Sequence, residues 1–70
     1  MNINRLRGKI AENGYSIPDF SQKIGIKKAT FYRKLKRQTE FTRSEIESIS
    51  IVLNLSAEQI KEIFFDEKVS

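Results

Sequence analysis

SIPDFSQKIGIKKATFYRKLKR, residues Ser16 to Arg37, is the stretch that decides the fold. Its apolar residues Ile17, Phe20 and Ile24 recur at spacings of three and four, which places them on one face of a helix running from about Ile17 to Ile24. A second helix runs from about Lys27 to Lys36, with Phe31 and Leu35 four apart on its inward face. Its other face carries Lys27, Lys28, Thr30, Arg33, Lys34 and Arg37. Between the two lies Ile24-Gly25-Ile26. Glycine accepts a positive φ without a Cβ clash, so the chain can leave one helix and turn sharply into the next. The flanking isoleucines can pin that turn to the core.

Working outward, the residues before this stretch form a first helix from Ile3 to Asn13. Ile3, Leu6 and Ile10 are its buried stripe, Asn2 caps its start, and Asn13-Gly14 ends it with Gly14 in the left-handed conformation. Gly8 falls in its middle, at a cost of about 1 kcal/mol relative to Ala, which suggests either a close helix–helix contact or simple tolerance. Three further helix starts share one signature. Ser16 is followed three residues on by Asp19, Thr42 by Glu45 and Ser56 by Gln59, so each pair can form a capping box, with Asp19 the shortest reach. Each cap is flanked by a hydrophobic staple: Tyr15 with Phe20, Phe41 with Ile46, Leu55 with Ile60. Pro18 sits in a first turn, where its missing N–H loses no partner. After a loop over residues 38–41, a fourth helix spans about Arg43 to Leu53, burying Ile46, Ile49 and Leu53, with Val52 at the edge. A fifth spans about Ala57 to Asp66, burying Ile60, Ile63 and Phe64, and Glu67 to Ser70 should fray. No strand-like alternation, repeat or linker is visible. The expectation is an all-α fold, five short helices around one core, forming a single domain over residues 1–70.

Composition narrows the chemistry. The chain has no cysteine and no histidine, which removes disulfides, thiol chemistry and the commonest zinc sites. At 70 residues it must hold itself by helix packing or by pairing with a second copy. No signal-peptide pattern opens it, and its longest aliphatic run, Ile51-Val52-Leu53, is far too short to span a bilayer; a cytoplasmic setting is expected. The net charge of +4 is unevenly spread. Residues 27–43 hold seven basic side chains against one acidic, whereas residues 44–70 hold two against six. A cationic cluster of this kind is the footprint of a polyanionic partner, although Lys and Arg also populate ordinary solvated faces. Enzymatic activity is not expected, because the acids are scattered or occupied as caps and there is no Gly-rich phosphate loop. Glu58, Glu62 and Asp66 lie four apart, a spacing that a solvated helix face explains better than a cation site. No cofactor, metal or small-molecule substrate is expected.

A Gly-containing turn followed by a basic helix is the pattern of a DNA-binding helix-turn-helix. The chain resembles the Cro/repressor-type helix-turn-helix proteins of phages and bacteria, whose DNA-binding domain is lambda-repressor-like. The resemblance is carried by Phe20 and Ile24, by Gly25 in the turn, by Ile26 after it and by Phe31 in the second helix. It extends over most of the chain, because the family wraps this motif in one preceding and two following helices. Three departures stand out. Ser21 replaces the family's usual Ala, and both are small where the helices approach closely. Lys27 stands where the family opens its recognition helix with Ser or Thr. The apolar position one place before Leu35 holds Lys34.

In a recognition helix, side chains near the start reach base edges in the major groove. Here those are Lys27, Lys28 and Ala29, with Tyr32 and Arg33 one turn later on the same face. By resemblance the family's base-reading positions fall on Lys28, Ala29 and Arg33. Arg33 can bond a guanine at O6 and N7, and Ala29 can touch a thymine methyl. Tyr32 has an alternative place, half-buried against the fourth helix, and Lys28 and Arg33 have the alternative of plain solvation. Candidates for phosphate contact, which positions without reading sequence, are Ser16, Gln22, Thr30, Lys34, Lys36, Arg37 and Arg43. The family usually has a DNA-binding Gln where Ile17 stands, so this chain cannot use that interaction. Phe64 and Phe65 are consecutive and cannot both face one core; Phe65 is the surplus one, and either marks a partner surface or folds back onto the first helix.

These readings predict sequence-specific binding of double-stranded DNA by a small phage-type transcriptional repressor. It would act as a weak homodimer formed mainly on DNA, with Phe65 at the dimer interface. The rivals are a protein-interaction module whose basic face grips an acidic protein, and a non-specific architectural DNA binder.

Overall fold

Each helix except the third begins where a side chain can satisfy its first free N–H groups. The Asn2 carboxamide oxygen accepts from the Arg5 N–H at 3.1 Å, and the Ser16, Thr42 and Ser56 hydroxyls accept from the N–H groups of Asp19, Glu45 and Gln59 at 3.1–3.2 Å. At Thr42 and Ser56 the box closes, since Glu45 and Gln59 accept in return from the Thr42 and Ser56 N–H groups at 2.8 and 2.9 Å. At Ser16 only the outward half forms; Asp19 is one methylene shorter and makes no return bond. The computed structural model describes residues 1–65, in five helices: α1 (Ile3–Glu12), α2 (Ile17–Lys23), α3 (Lys28–Leu35), α4 (Arg43–Val52) and α5 (Ala57–Phe64). No strand occurs among the described residues. The expected bounds agree within a residue except at α5, which stops at Phe64. Asp66, its expected end, lies outside the described residues, as do Glu67 to Ser70.

The first four helices end alike. After α2, the Gly25 N–H donates to the Gln22 carbonyl at 3.1 Å and the Ile26 N–H to the Ser21 carbonyl at 2.9 Å. This is a Schellman motif, and it requires the left-handed backbone that Gly25 adopts (φ 78°). The same pair of bonds closes α1 through Gly14, α3 through Arg37 and α4 through Asn54. Arg37 and Asn54 therefore carry positive φ values of 63° and 53°, in a region that costs a side-chain-bearing residue roughly 1–2 kcal/mol.

The core collects Leu6, Ile10, Phe20, Phe31, Leu35, Phe41, Ile49, Leu53, Ile63 and Phe64. An aromatic chain runs through it, Tyr15–Phe20–Phe31–Phe41–Phe64, with successive ring centroids 5.4–5.9 Å apart, within the range of favourable ring pairs. Phe41 belongs to this core, beyond its expected role as a staple. Ile17, Ile24, Ile46 and Ile60 are half-buried around it. Gly8 is exposed, and a Cβ there would meet nothing within 4 Å; the suggested close helix contact is absent and the glycine is merely tolerated. The chain's start is stitched to α5: the Asn2 N–H donates to the Ile63 carbonyl at 2.7 Å and Arg5 pairs with Glu62 at 3.1 Å.

Candidate nucleic-acid interface

α2 and α3 pack against one another across the Gly25 turn. Ser21 is buried, with its hydroxyl donating to the Pro18 carbonyl at 2.8 Å, so the small side chain settles its own polarity inside α2. Ile24 and Ile26 hold the turn against the core from both sides. α3 then divides cleanly. Phe31, Lys34 and Leu35 form its buried stripe. Lys28, Ala29 and Arg33 are exposed, as are Lys27 before the helix and Lys36 after it. Spacings of three and four bring Ala29, Arg33 and Lys36 onto one outer face. Thr30 and Tyr32 flank this face half-buried, and Tyr32 packs against the core. Lys27 serves as N-cap without a side-chain cap bond.

The other candidates sit around this helix. Ser16 and Gln22 are exposed at the two ends of α2, and the Ser16 hydroxyl is already engaged as a cap. Arg37 is exposed at the end of α3, with its Nη2 donating to the Met1 carbonyl at 3.0 Å. Arg43 is exposed at the first position of α4.

Lys34 does not stand outward as expected. Its charge groups it with the outward cations, but only 7% of its surface is accessible. Its Nζ donates to the Glu40 carbonyl at 2.9 Å, pairs with Glu45 Oε1 at 3.0 Å and lies 5.7 Å from the centre of the Phe41 ring. The position is the one that the family fills with an apolar residue: here the alkyl stem is buried and the ammonium is satisfied locally. The ammonium is turned inward and does not share the exposed face of the other cations. The same Glu45 oxygen accepts from the Thr42 N–H at 2.8 Å. Partial burial pushes the Glu45 carboxyl toward neutrality, but the Thr42 N–H and the Lys34 ammonium outweigh it and hold the pKa below the ordinary value. The outward cations are thus Lys27, Lys28, Arg33, Lys36, Arg37 and Arg43.

Glu47, Glu58 and Glu62 are exposed on α4 and α5. The described residues contain no cluster of three acidic, Cys or His side chains able to hold a metal, and no helix among them is long and apolar enough to cross a membrane. Phe65 stays 57% exposed and does not fold back onto α1, and Ile51 is 78% exposed. Both line one groove of about 610 Å³ with Ile46 and Ile60, next to Arg43 and Glu47.

A buried apolar stripe on α3, a glycine turn closed by a Schellman motif, and an outward cationic face make up the helix-turn-helix geometry. Comparison with curated proteins and with solved structures gives no match. The model of the Cro/C1-type HTH DNA-binding domain family matches residues 5–66, which takes in most of α1 and all of α2 to α5, and this chain belongs to that DNA-binding family.

Proposed function

We propose that the protein is a sequence-specific transcriptional repressor of the phage type, acting in the cytoplasm of a bacterial or phage-infected cell by placing α3 in the major groove of an operator. The observation that carries this reading is the exposed face of α3, on which Lys28, Ala29 and Arg33 stand clear of the core. In this reading Lys27, Lys28, Ala29, Tyr32 and Arg33 meet base edges. Ser16, Gln22, Thr30, Lys36, Arg37 and Arg43 meet phosphates, which fix the register of the complex. The experiment is selection of binding sites from random duplex DNA at two salt concentrations. Recovery of a sequence motif supports the repressor; strong, motif-free binding supports an architectural binder; no binding points to an interaction module.

The functional unit we propose is a homodimer, weak in solution and formed mainly on DNA. Each copy carries one recognition helix, α3, so reading two successive major grooves about 34 Å apart calls for two copies. The groove between α4 and α5 holds both exposed large hydrophobic side chains among the described residues, Ile51 and Phe65, as expected of a partner surface. Acidic side chains on α4 and α5 oppose self-association, which keeps the dimer weak. Sedimentation of the protein with a selected duplex should give two copies per site, and Phe65→Ala should reduce this to one. A single copy on a site without an inverted repeat would sink the dimer; a dimer that survives Phe65→Ala would move the interface elsewhere.

A further inference from the structure

Between Gln38 and Thr42 the loop joining α3 to α4 has little backbone bonding of its own. The Gln38 N–H is the last to bond back into α3, and among the described residues the next backbone bond made is that of the Thr42 carbonyl with Ile46. Phe41 anchors the loop by packing. Its polar anchor is Lys34, which holds the Glu40 carbonyl and, through Glu45, the first turn of α4. Arg37 precedes this loop and Arg43 follows it.

We propose that Lys34 is a positioning residue for DNA binding: its ammonium ties the α3–α4 loop and the start of α4 to the recognition helix, so that Arg43 meets a phosphate in register with α3, to which Arg37 is already bonded directly. This rests on the phosphate role proposed above for Arg43. The geometry is suited to the task. One buried donor grips a loop carbonyl and a carboxylate on the next helix at once, and that carboxylate is itself held by the Thr42 N–H. An ammonium so placed adds no charge to the DNA-facing surface, because Glu45 neutralises it on the spot.

The test uses Lys34→Met/Glu45→Gln in one chain. The pair removes one positive and one negative charge, so net charge is unchanged and long-range attraction to DNA is preserved. Gln at position 45 can still close the box, as Gln59 does at Ser56, and Met keeps an apolar stem in the core. Replacing a buried ion pair by well-packed neutral groups is often neutral or stabilising, so the thermal midpoint should hold. Binding to a selected duplex should nevertheless weaken, with a shallower salt dependence; at about 0.1 M salt each phosphate left unengaged weakens binding roughly eightfold. Wild-type affinity and salt slope in a folded double variant would overturn the proposal. Glu45→Gln alone gives the sharpest contrast. It removes a negative charge, so simple electrostatics makes it bind DNA more tightly, whereas loss of the tie makes it bind more weakly. Tighter or unchanged binding would return Lys34 to a direct phosphate role. If the wild-type protein binds no duplex, the DNA reading of Arg43 fails instead. The tie itself is then judged by amide hydrogen exchange, which should accelerate at the bonded amides of Thr42, Glu45 and Ile46 in the double variant while α1 and α5 keep their protection; unchanged exchange there would refute it.

Discussion

Gly8→Ala should stabilise this protein. Gly8 lies inside α1, exposed, and a Cβ built there finds no atom within 4 Å. The added methyl neither clashes nor packs, so its whole effect is on backbone freedom and helix propensity, about 0.8–1 kcal/mol in favour of Ala. For a domain of this size 1 kcal/mol moves the thermal midpoint by roughly 4–8 °C, a shift that a circular dichroism melt resolves easily. Gly25→Ala supplies the contrast. Its Cβ also meets nothing within 4 Å, but its φ is 78°. There the methyl must enter the left-handed region at roughly 1–2 kcal/mol, against a gain of about 0.4–1 kcal/mol from a stiffer unfolded chain. The net is a loss of roughly 1 kcal/mol, so one chemical change has opposite signs at two unobstructed sites, and φ alone accounts for the difference. Gly8→Ala lies away from α3 and should leave DNA affinity unaltered. A lowered midpoint for Gly8→Ala would refute the reasoning, because it would mean that α1 has a close neighbour at Gly8. A raised midpoint for Gly25→Ala would refute the account of the turn.

Thr42→Ala removes the acceptor for the Glu45 N–H, bonded at 3.2 Å, and should cost about 0.5–2 kcal/mol by chemical denaturation; an unmoved midpoint would show that α4 does not depend on this cap. Glu45 should make stability fall in acid. Its folded pKa lies below the ordinary 4.5, so its contribution is complete above that value and drains away as pH drops through the folded pKa. Denaturation midpoints measured across this range should fall less steeply in Glu45→Gln, and parallel curves would count against it. On DNA, Arg33→Ala should lose about 1–3 kcal/mol on the selected site and relax preference at one base pair, while Lys36→Ala should weaken specific and random DNA alike with a shallower salt slope; equal losses on both DNAs for Arg33, or lost selectivity for Lys36, would exchange their roles.

The features legible in the sequence are those whose partners lie within one helical turn. Thr42 with Glu45 and Ser56 with Gln59 are boxes because a hydroxyl and a longer side chain three residues on can always meet. Ser16 with Asp19 shows the limit of the rule, since one methylene decides whether the return bond forms. The Gly14 and Gly25 ends are equally visible, because glycine advertises a positive φ. Arg37 and Asn54 adopt the same conformation and close the same bonds, but nothing in an arginine announces a left-handed residue. The geometry there is imposed by the need of α3 to end before the loop, and composition does not encode it.

Lys34 shows why the rest is hidden. Counted by charge, it belongs with the outward cations; counted by spacing, three after Phe31, it belongs with the core. Spacing is the better guide, and the resemblance points the same way by expecting an apolar residue there. What neither can supply is the partner. Glu45 lies eleven residues further along the chain, already occupied as a cap, and only the packing of the α3–α4 loop brings its free capacity to the ammonium. One of the seven cations of residues 27–43 is neutralised by an acid from the next segment, so the outward charge of this stretch is smaller than the sequence count. The cation withdrawn from the surface bonds instead to the Glu40 carbonyl, in the loop between Arg37 and Arg43.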